Sequence, residues 1–369
     1  MNILYLTNHL NAGGITSYLL TQARGMRGYG HNVFIASSGG DMESAFEKEG
    51  VHLFKVNLKT KSELSPKVYT ALFKIKKYAE QNDIDVVHAS TRITQVIAYW
   101  LTKNTRRVFV STCHGYFKRR LGRRLFPCWG EEVLAISSQV LDHLKNDFKV
   151  KADKIKLVES GIDVKSFAQK DDYKVDKLRE RFNPQRKKIV GLVARLSDVK
   201  GQDILVHAFK EVLNKRDDVI CLLVGEGKLE GMLKELISSL NIEEDVLIIP
   251  VVNETRDFLH LFDVSVMPSR QEGLGLSIIE AQASSCPVVA SRVGGIPTLI
   301  DHEITGLLAE PENPKDFADK IIQMLDSDEL RNRMVEQALA NVKEKFDATS
   351  MVGETLAVYE RLIKRKILN

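Results

Sequence analysis

Short apolar runs recur along almost the whole chain, and stretches with helical periodicity separate them. Thirteen runs are candidate strands: 2–7, 33–36, 51–56, 85–88, 108–112, 132–137 and 155–159 in the first half, then 189–194, 219–224, 246–251, 263–268, 287–290 and 306–309. Runs this apolar, with little polar alternation, describe strands buried on both faces. Strands that alternate with helices make parallel sheets covered by helices on both sides. The fold class is therefore α/β. Neither half carries a short repeat of the solenoid type.

A chain of 369 residues suggests two domains. The stretch 164–188 is rich in Lys, Arg, Asp and Gln, and Asn183-Pro184 comes just before a new strand. The expected division is a first doubly wound domain over 1–165, a linker over 166–188 and a second domain over 189–350. Doubly wound sheets bind ligands outside the carboxyl ends of their strands. A helix over about 351–369 has Val352, Leu356, Tyr359, Leu362 and Ile363 as an apolar stripe.

Composition excludes little. A net charge of +4 argues neither for nor against nucleic acid. The four cysteines, Cys113, Cys128, Cys221 and Cys286, form no C-x-x-C and no zinc spacing, which fits a reducing cytoplasmic compartment. The N-terminus enters directly as a strand. No secretory leader and no apolar run of membrane-spanning length is expected. Asp83-Ile84-Asp85 spells D-x-D but leads into a strand rather than a metal loop, so no metal site is expected.

The stretch Glu272-Gly-Leu-Gly-Leu-Ser-Ile-Ile-Glu280 carries the chemistry. The run before it reads as a buried strand closed by Pro268 and Ser269, and helix signals begin at Gly275. Glu272 then lies in the loop ahead of the helix, and Glu280 about two turns inside it. A glycine loop running into a helix offers free N–H groups and the positive end of the helix dipole, which is an anion site. Carboxylates repel phosphate, so the two glutamates suit neutral hydroxyls. A ligand with both phosphates and hydroxyls is a nucleotide-sugar.

This stretch resembles the E-x7-E signature of retaining glycosyltransferases of family 4, which have the GT-B fold. The likeness continues through Pro287-Val-Val-Ala-Ser-Arg-Val-Gly294-Gly295-Ile-Pro297 and Thr305-Gly306-Leu-Leu. It implies two Rossmann-like domains facing across a cleft, with donor held mainly by the second and acceptor mainly by the first. It also implies that the last helix returns to pack on the first domain; a helix capping its own domain is the alternative.

Other landmarks fit that resemblance. Arg195 ends the strand 189–194, and Lys200-Gly201 follow in the same loop, where two cations can neutralise a diphosphate leaving group. The family usually has glycine where this chain has Ala194. Gly13-Gly14 follow the first strand, and the pair matches a position where the family's backbone contacts donor phosphate. That loop is not G-x-G-x-x-G, which weakens a nicotinamide reading. Gly225-Glu226-Gly227 resembles the family's G-x-G near the nucleotide, although a plain tight turn explains it equally well. Residues 250–254 lie where the family holds the base. Backbone recognition there leaves little side-chain signature, so guanosine and adenosine stay open beside the expected UDP-sugar.

His114 in Thr112-Cys-His114-Gly115 matches a family histidine near the donor sugar and reacting centre; a structural histidine is the alternative. His88 also ends a strand, but the family's second histidine is replaced by Ser90, and no catalytic role is expected for it. The resemblance implies a front-face retaining reaction that needs neither a cofactor nor a metal. The roles it assigns are Glu272 on sugar hydroxyls, Glu280 on ribose hydroxyls and Arg195 with Lys200 on the diphosphate, with the backbone of Gly275, Leu276 and Ser277 completing the anion site.

From Leu101 to Gly130 there is no acid, whereas Lys103, Arg106, Arg107, Lys118, Arg119, Arg120, Arg123 and Arg124 are interleaved with Phe117, Leu121, Leu125, Phe126 and Trp129. Cations with apolar anchors at helical spacing describe a segment lying on anionic lipid. A solvated basic face is the bland alternative, and no nucleic-acid motif accompanies the patch. The expected function is transfer of a sugar to a saccharide or lipid-linked acceptor, such as a lipopolysaccharide core or another cell-envelope glycan. The expected place is the cytoplasm, with peripheral contact to the membrane. A nucleotide-sugar epimerase of the same architecture would need more acid–base groups than His114 and Glu272. A non-catalytic binding protein would not need the full set of charged residues.

Overall fold

Every one of the thirteen apolar runs contains a strand. The structure is a computed structural model that describes residues 1–60, 62–117, 121–183, 185–250 and 255–368. It forms two units: residues 1–161 with the C-terminal helix, and Ile162–Asp347.

The first unit contains β1 (Asn2–Leu6), α1 (Gly14–Gly28), β2 (Asn32–Ser37), α2 (Glu43–Lys48), β3 (His52–Lys55), α3 (Pro66–Gln81), β4 (Val86–Ala89), α4 (Arg92–Thr102), β5 (Val108–Cys113), α5 (Leu121–Leu125), β6 (Glu132–Ala135), α6 (Ser138–Asp147) and β7 (Ile155–Leu157). The second contains α7 (Val164–Ala168), α8 (Asp172–Phe182), β8 (Lys188–Val193), α9 (Gln202–Leu213), β9 (Val219–Val224), α10 (Glu230–Ser239), β10 (Val246–Ile249), α11 (Thr255–Leu261), β11 (Val264–Met267), α12 (Leu276–Ala283), β12 (Val288–Ser291), β13 (Leu307–Ala309), α13 (Pro314–Asp326) and α14 (Asp328–Lys345). The last helix, α15 (Ala348–Leu368), belongs to the first unit.

The first sheet has the order β3-β2-β1-β4-β5-β6-β7 and the second β10-β9-β8-β11-β12-β13. Their pairings are parallel; Leu4 lies opposite Phe34 on one side and Val87 on the other. In each sheet the chain runs outward from a central strand, then returns to that strand's other side. The order therefore reverses between β1 and β4 in the first sheet, and between β8 and β11 in the second. Such a switch point opens a crevice outside the strand ends, because the flanking loops diverge to opposite faces.

The period-two alternation of β1 assigns its residues to two cores. Ile3 and Tyr5 pack with residues of α1 and α15, whereas Leu4 and Leu6 pack with residues of α3 and α4. Each fully buried aliphatic side chain contributes roughly 1.5–3 kcal/mol. On α15, Val352, Thr355, Tyr359 and Leu362 are buried, while Leu356 and Ile363 are half-buried. Gly25 of α1 makes room for this helix: a Cβ there would lie 2.5 Å from a Val352 methyl.

The segment 166–188 is not an open linker. Asp171 Oδ1 accepts from the Lys174 amide at 3.2 Å and starts α8, Val175 is buried, and Phe182 packs against Phe258 of α11 with ring centroids 6.0 Å apart. A surface helix with so narrow a buried stripe has the composition of a linker, so polarity alone misread it.

Candidate functional site

The second unit's switch point gathers the charged residues of the Glu272 stretch. Arg195 and Lys200 lie in the loop after β8, and Glu272 in the loop after β11, the neighbouring strand. Lys200 Nζ donates to Glu272 Oε2 at 2.7 Å, and Ser269 Oγ donates to the same oxygen at 3.3 Å. Both partners of the pair are mostly covered. Arg195 is exposed, and its guanidinium has no partner among the described residues.

Close backbone contacts hold this arrangement. A Cβ on Gly201 would lie 2.1 Å from the Pro268 carbonyl oxygen, so only glycine lets the Lys200 loop meet the end of β11. Likewise a Cβ on Gly225 would lie 2.0 Å from the Ala194 oxygen, and one on Gly227 2.0 Å from the Leu196 oxygen. The glycines of Gly225-Glu226-Gly227 therefore serve the approach of the β9 loop to Ala194–Leu196. Gly295 N–H donates to the Glu272 carbonyl at 3.1 Å and fixes its loop from the β12 side.

α12 starts after Gly275, whose φ of 107° is available to glycine and which has no side chain to cap the helix. Among the described residues the Leu276 and Ser277 N–H groups have no acceptor, which leaves an anion-binding end. Glu280 is the fifth residue of α12, slightly more than one turn in rather than two, because the helix begins at Leu276. Burial pushes its carboxyl up to about 7, and the nearby Lys200 charge pulls the other way.

In the first unit, Gly13 is the N-cap of α1, Gly14 its first residue, and no side chain caps it. A Cβ on Gly13 would meet nothing within 4 Å, so the loop is open there. His114 follows β5 and packs edge-on against Tyr18, with ring centroids 4.8 Å apart. Burial lowers its pKa to about 3, and its Nε2 has no partner among the described residues. Burial thus favours the neutral imidazole. His88 is a core residue: Nε2 lies 2.7 Å from Thr112 Oγ1, and Nδ1 meets the Tyr359 hydroxyl on α15.

The family model described as Glycosyltransferase Family 4 matches residues 12–166, and the one described as Glycosyl transferases group 1 matches 174–340. The chain belongs to glycosyltransferase family 4. An N-acetyl-alpha-D-glucosaminyl L-malate synthase of Bacillus anthracis is 26% identical over 91% of this glycosyltransferase and 90% of that protein. A D-inositol 3-phosphate glycosyltransferase of Corynebacterium glutamicum is 29% identical over 63% of this chain and 58% of its own. A Rickettsia africae glycosyltransferase of known structure superposes with a TM-score of 0.85 at 26% identity, covering 98% of both chains. Anabaena HepE, solved with UDP-glucose, shares the fold: TM-score 0.85, 22% identity, 97% of this chain and all of that one.

The transferase brings together Arg195, Lys200, Glu272 and the start of α12 with Leu276, Ser277 and Glu280. Gly225 supports this group from the β9 side, while Gly14 and His114 lie at the strand ends of the first unit.

The basic segment differs from expectation. Lys118, Arg119 and Arg120, like residues 251–254 expected near the base, lie outside the described residues. Arg123 is 5% exposed and faces inward, its guanidinium 4.1 Å from the Phe117 ring centroid and 4.8 Å from that of Trp129. Burial lowers its pKa to about 10. Phe117, Phe126 and Trp129 are likewise covered, so within α5 only Arg124 and Leu125 are established as outward-facing. Sequence spacing could not separate an interfacial segment from a guanidinium stacked in an aromatic pocket.

One residue of the transferase site escaped sequence reasoning. Arg270 donates to both oxygens of Asp203, at 2.9 and 2.7 Å, to Glu312 at 2.6 Å and to the Asp198 carbonyl at 2.9 Å. Its hydrogen bond holds the Asp203 carboxyl below its ordinary pKa. Arg270 thereby ties the Lys200 loop to the Glu272 loop. Its place two residues before Glu272 was the available signal; its partners are distant in sequence. Among the described residues no group of His, Cys, Asp and Glu could hold a metal ion, and no helix is long and apolar enough to cross a membrane.

Proposed function

We propose that this glycosyltransferase moves a sugar from a UDP-sugar to a glycan or lipid-linked acceptor with retention of anomeric configuration. The observation that carries this reading is the Lys200–Glu272 pair together with the exposed Arg195 of the Lys200 loop and the uncapped start of α12, all in loops at the switch point of one sheet. Cations and N–H groups suit a diphosphate, and carboxylates suit hydroxyls.

Arg195 and Lys200 stabilise the diphosphate as negative charge builds on it, while Glu272 holds donor-sugar hydroxyls and Glu280 the ribose hydroxyls. The anomeric C–O bond breaks toward the leaving phosphate. The acceptor hydroxyl attacks the same face, and its proton passes to the departing phosphate oxygen. In the first unit, burial favours the neutral His114 ring, which suits a hydrogen-bonding role rather than a positive charge. No step is assigned to a metal. Anabaena HepE with UDP-glucose and the Staphylococcus aureus TarM complex with UDP support uridine. We place the acceptor on the first unit. WaaG, of lipopolysaccharide biosynthesis, supports an envelope glycan through shared fold alone.

The test is a panel of nucleotide-sugars, followed by thermal stabilisation and by slow hydrolysis. A UDP-sugar should raise the melting temperature and release UDP with an α-configured sugar from an α-linked donor. No response to any donor would remove the transferase reading, and sugar isomerisation without acceptor would replace it with epimerisation.

A further inference from the structure

Helix α3 carries apolar side chains on two different faces. Val68, Ala71, Ile75 and Ala79 face the core. Tyr69 and Phe73, one turn apart, face outward and are 57% and 74% exposed. At about 100° per residue they lie on the outer face about 45° to one side of its midline, with Lys76 on their flank and Lys77, Lys74 and Lys67 following toward the other side. All four lysines are exposed and have no ion-pair partner among the described residues. Glu80, at the far end, is the helix's only acid.

The patch continues beyond the helix. Leu64, just before the N-cap Ser65, is 80% exposed. Its neighbour Glu63 accepts from Arg92 at 2.6 Å, and Arg92 also donates to the carbonyls of Phe126 at 2.7 Å and Pro127 at 2.9 Å. That clamp sets Glu63, the residue before Leu64, against Gly122 of α5, whose Leu125 is 76% exposed and whose Arg124 faces solvent. Single exposed apolar residues are ordinary on a protein surface. Here two aromatics and two leucines lie among five unpaired cations.

We propose that the outer face of α3, with Leu64, Arg124 and Leu125, docks on an anionic phospholipid bilayer. Aromatic and aliphatic side chains enter the headgroup–acyl boundary while lysine ammonium groups meet lipid phosphates. The charge complementarity is one-sided, because Glu63 is already neutralised by Arg92. The segment holding Leu64 and α5 follow the carboxyl ends of β3 and β5. These are at the same end of the first sheet as the Gly13–Gly14 loop and His114, so docking brings lipid to the end of the unit where we place the acceptor. The surface stands on its own residues and does not depend on which nucleotide the second unit binds.

The full chain is sedimented with phosphatidylcholine vesicles and with vesicles that also contain phosphatidylglycerol. Binding is expected only to the anionic vesicles and should weaken as salt rises. Lys74→Gln with Lys77→Gln should weaken it by about 25-fold, roughly fivefold per lysine, and Tyr69→Ala with Phe73→Ala by about tenfold or more. These positions are exposed, so melting temperatures should hold. In Phe73→Trp, the new indole's emission should shift to the blue on anionic vesicles. No binding to anionic vesicles, or binding undiminished by both double variants, overturns the proposal. A lipid-free dimer abolished by Phe73→Ala also overturns it, assigning the face to a second copy.

Discussion

Lys200 and Glu272 hold one another across the switch point, with Nζ 2.7 Å from Oε2, although the two positions are 72 residues apart along the chain. In the absence of donor each neutralises the other. On the proposed reading, diphosphate and sugar compete for the two partners, and the ligand must carry both chemistries.

Glu272→Gln separates these functions. Removing the carboxylate frees Lys200 for phosphate, so UDP should bind about 3–10-fold more tightly. Losing the sugar clamp should slow transfer by about 10²–10³-fold. Lys200→Gln should weaken both. Calorimetry with UDP and steady-state transfer, measured on the same preparations, check the opposed signs.

Glu280 should give the free protein a pH signature. Its folded-state pKa is raised from 4.5 to about 7, so the folded form holds its proton to higher pH than the unfolded chain does. Stability contributed by this group therefore declines as pH climbs from 4.5 to about 7. Glu280→Gln should remove that decline and leave the variant about 1–2 kcal/mol more stable at high pH, a figure reduced because Glu280 keeps some water contact. Melting curves across that range, compared between the two proteins, read the difference. The same substitution should weaken UDP binding.

On the proposed reading, Arg270 supports the donor site only indirectly, by holding its two loops together. Arg270→Ala releases the Lys200 loop from the Glu272 loop, and UDP affinity should fall about tenfold or more. Arg270→Lys should not restore it, because an ammonium cannot reproduce the two-pronged contact with Asp203. Titration of both variants with UDP is the check.

Arg123 is a stability residue. Arg123→Ala empties a pocket among Phe117, Trp129 and Phe148 and should cost about 2–4 kcal/mol, seen as a lower melting temperature and altered Trp129 fluorescence. Vesicle binding by the folded variant should be unchanged, unlike that of the α3 variants.

The strands were legible because buried parallel strands must be apolar on both faces, and that leaves a contiguous mark. The Glu272–Glu280 loop was legible because glycines, carboxylates and helix signals are local. Three things were not. The helix α8 was hidden by its single narrow stripe at Val175. Arg123 was hidden because a stacked guanidinium and a solvated one have the same letter. The Arg270–Asp203 bond was hidden because it joins positions 67 residues apart. Local chemistry is written along the chain, whereas partnership between distant loops exists only after folding.

The most direct measurement is calorimetric titration of UDP into the full chain and into the Arg195→Gln/Lys200→Gln double variant, with melting temperature as the control. The account predicts clear binding to the former and a loss of about 100-fold or more in the latter, with little change in stability. Equal UDP affinity in the two proteins would contradict it.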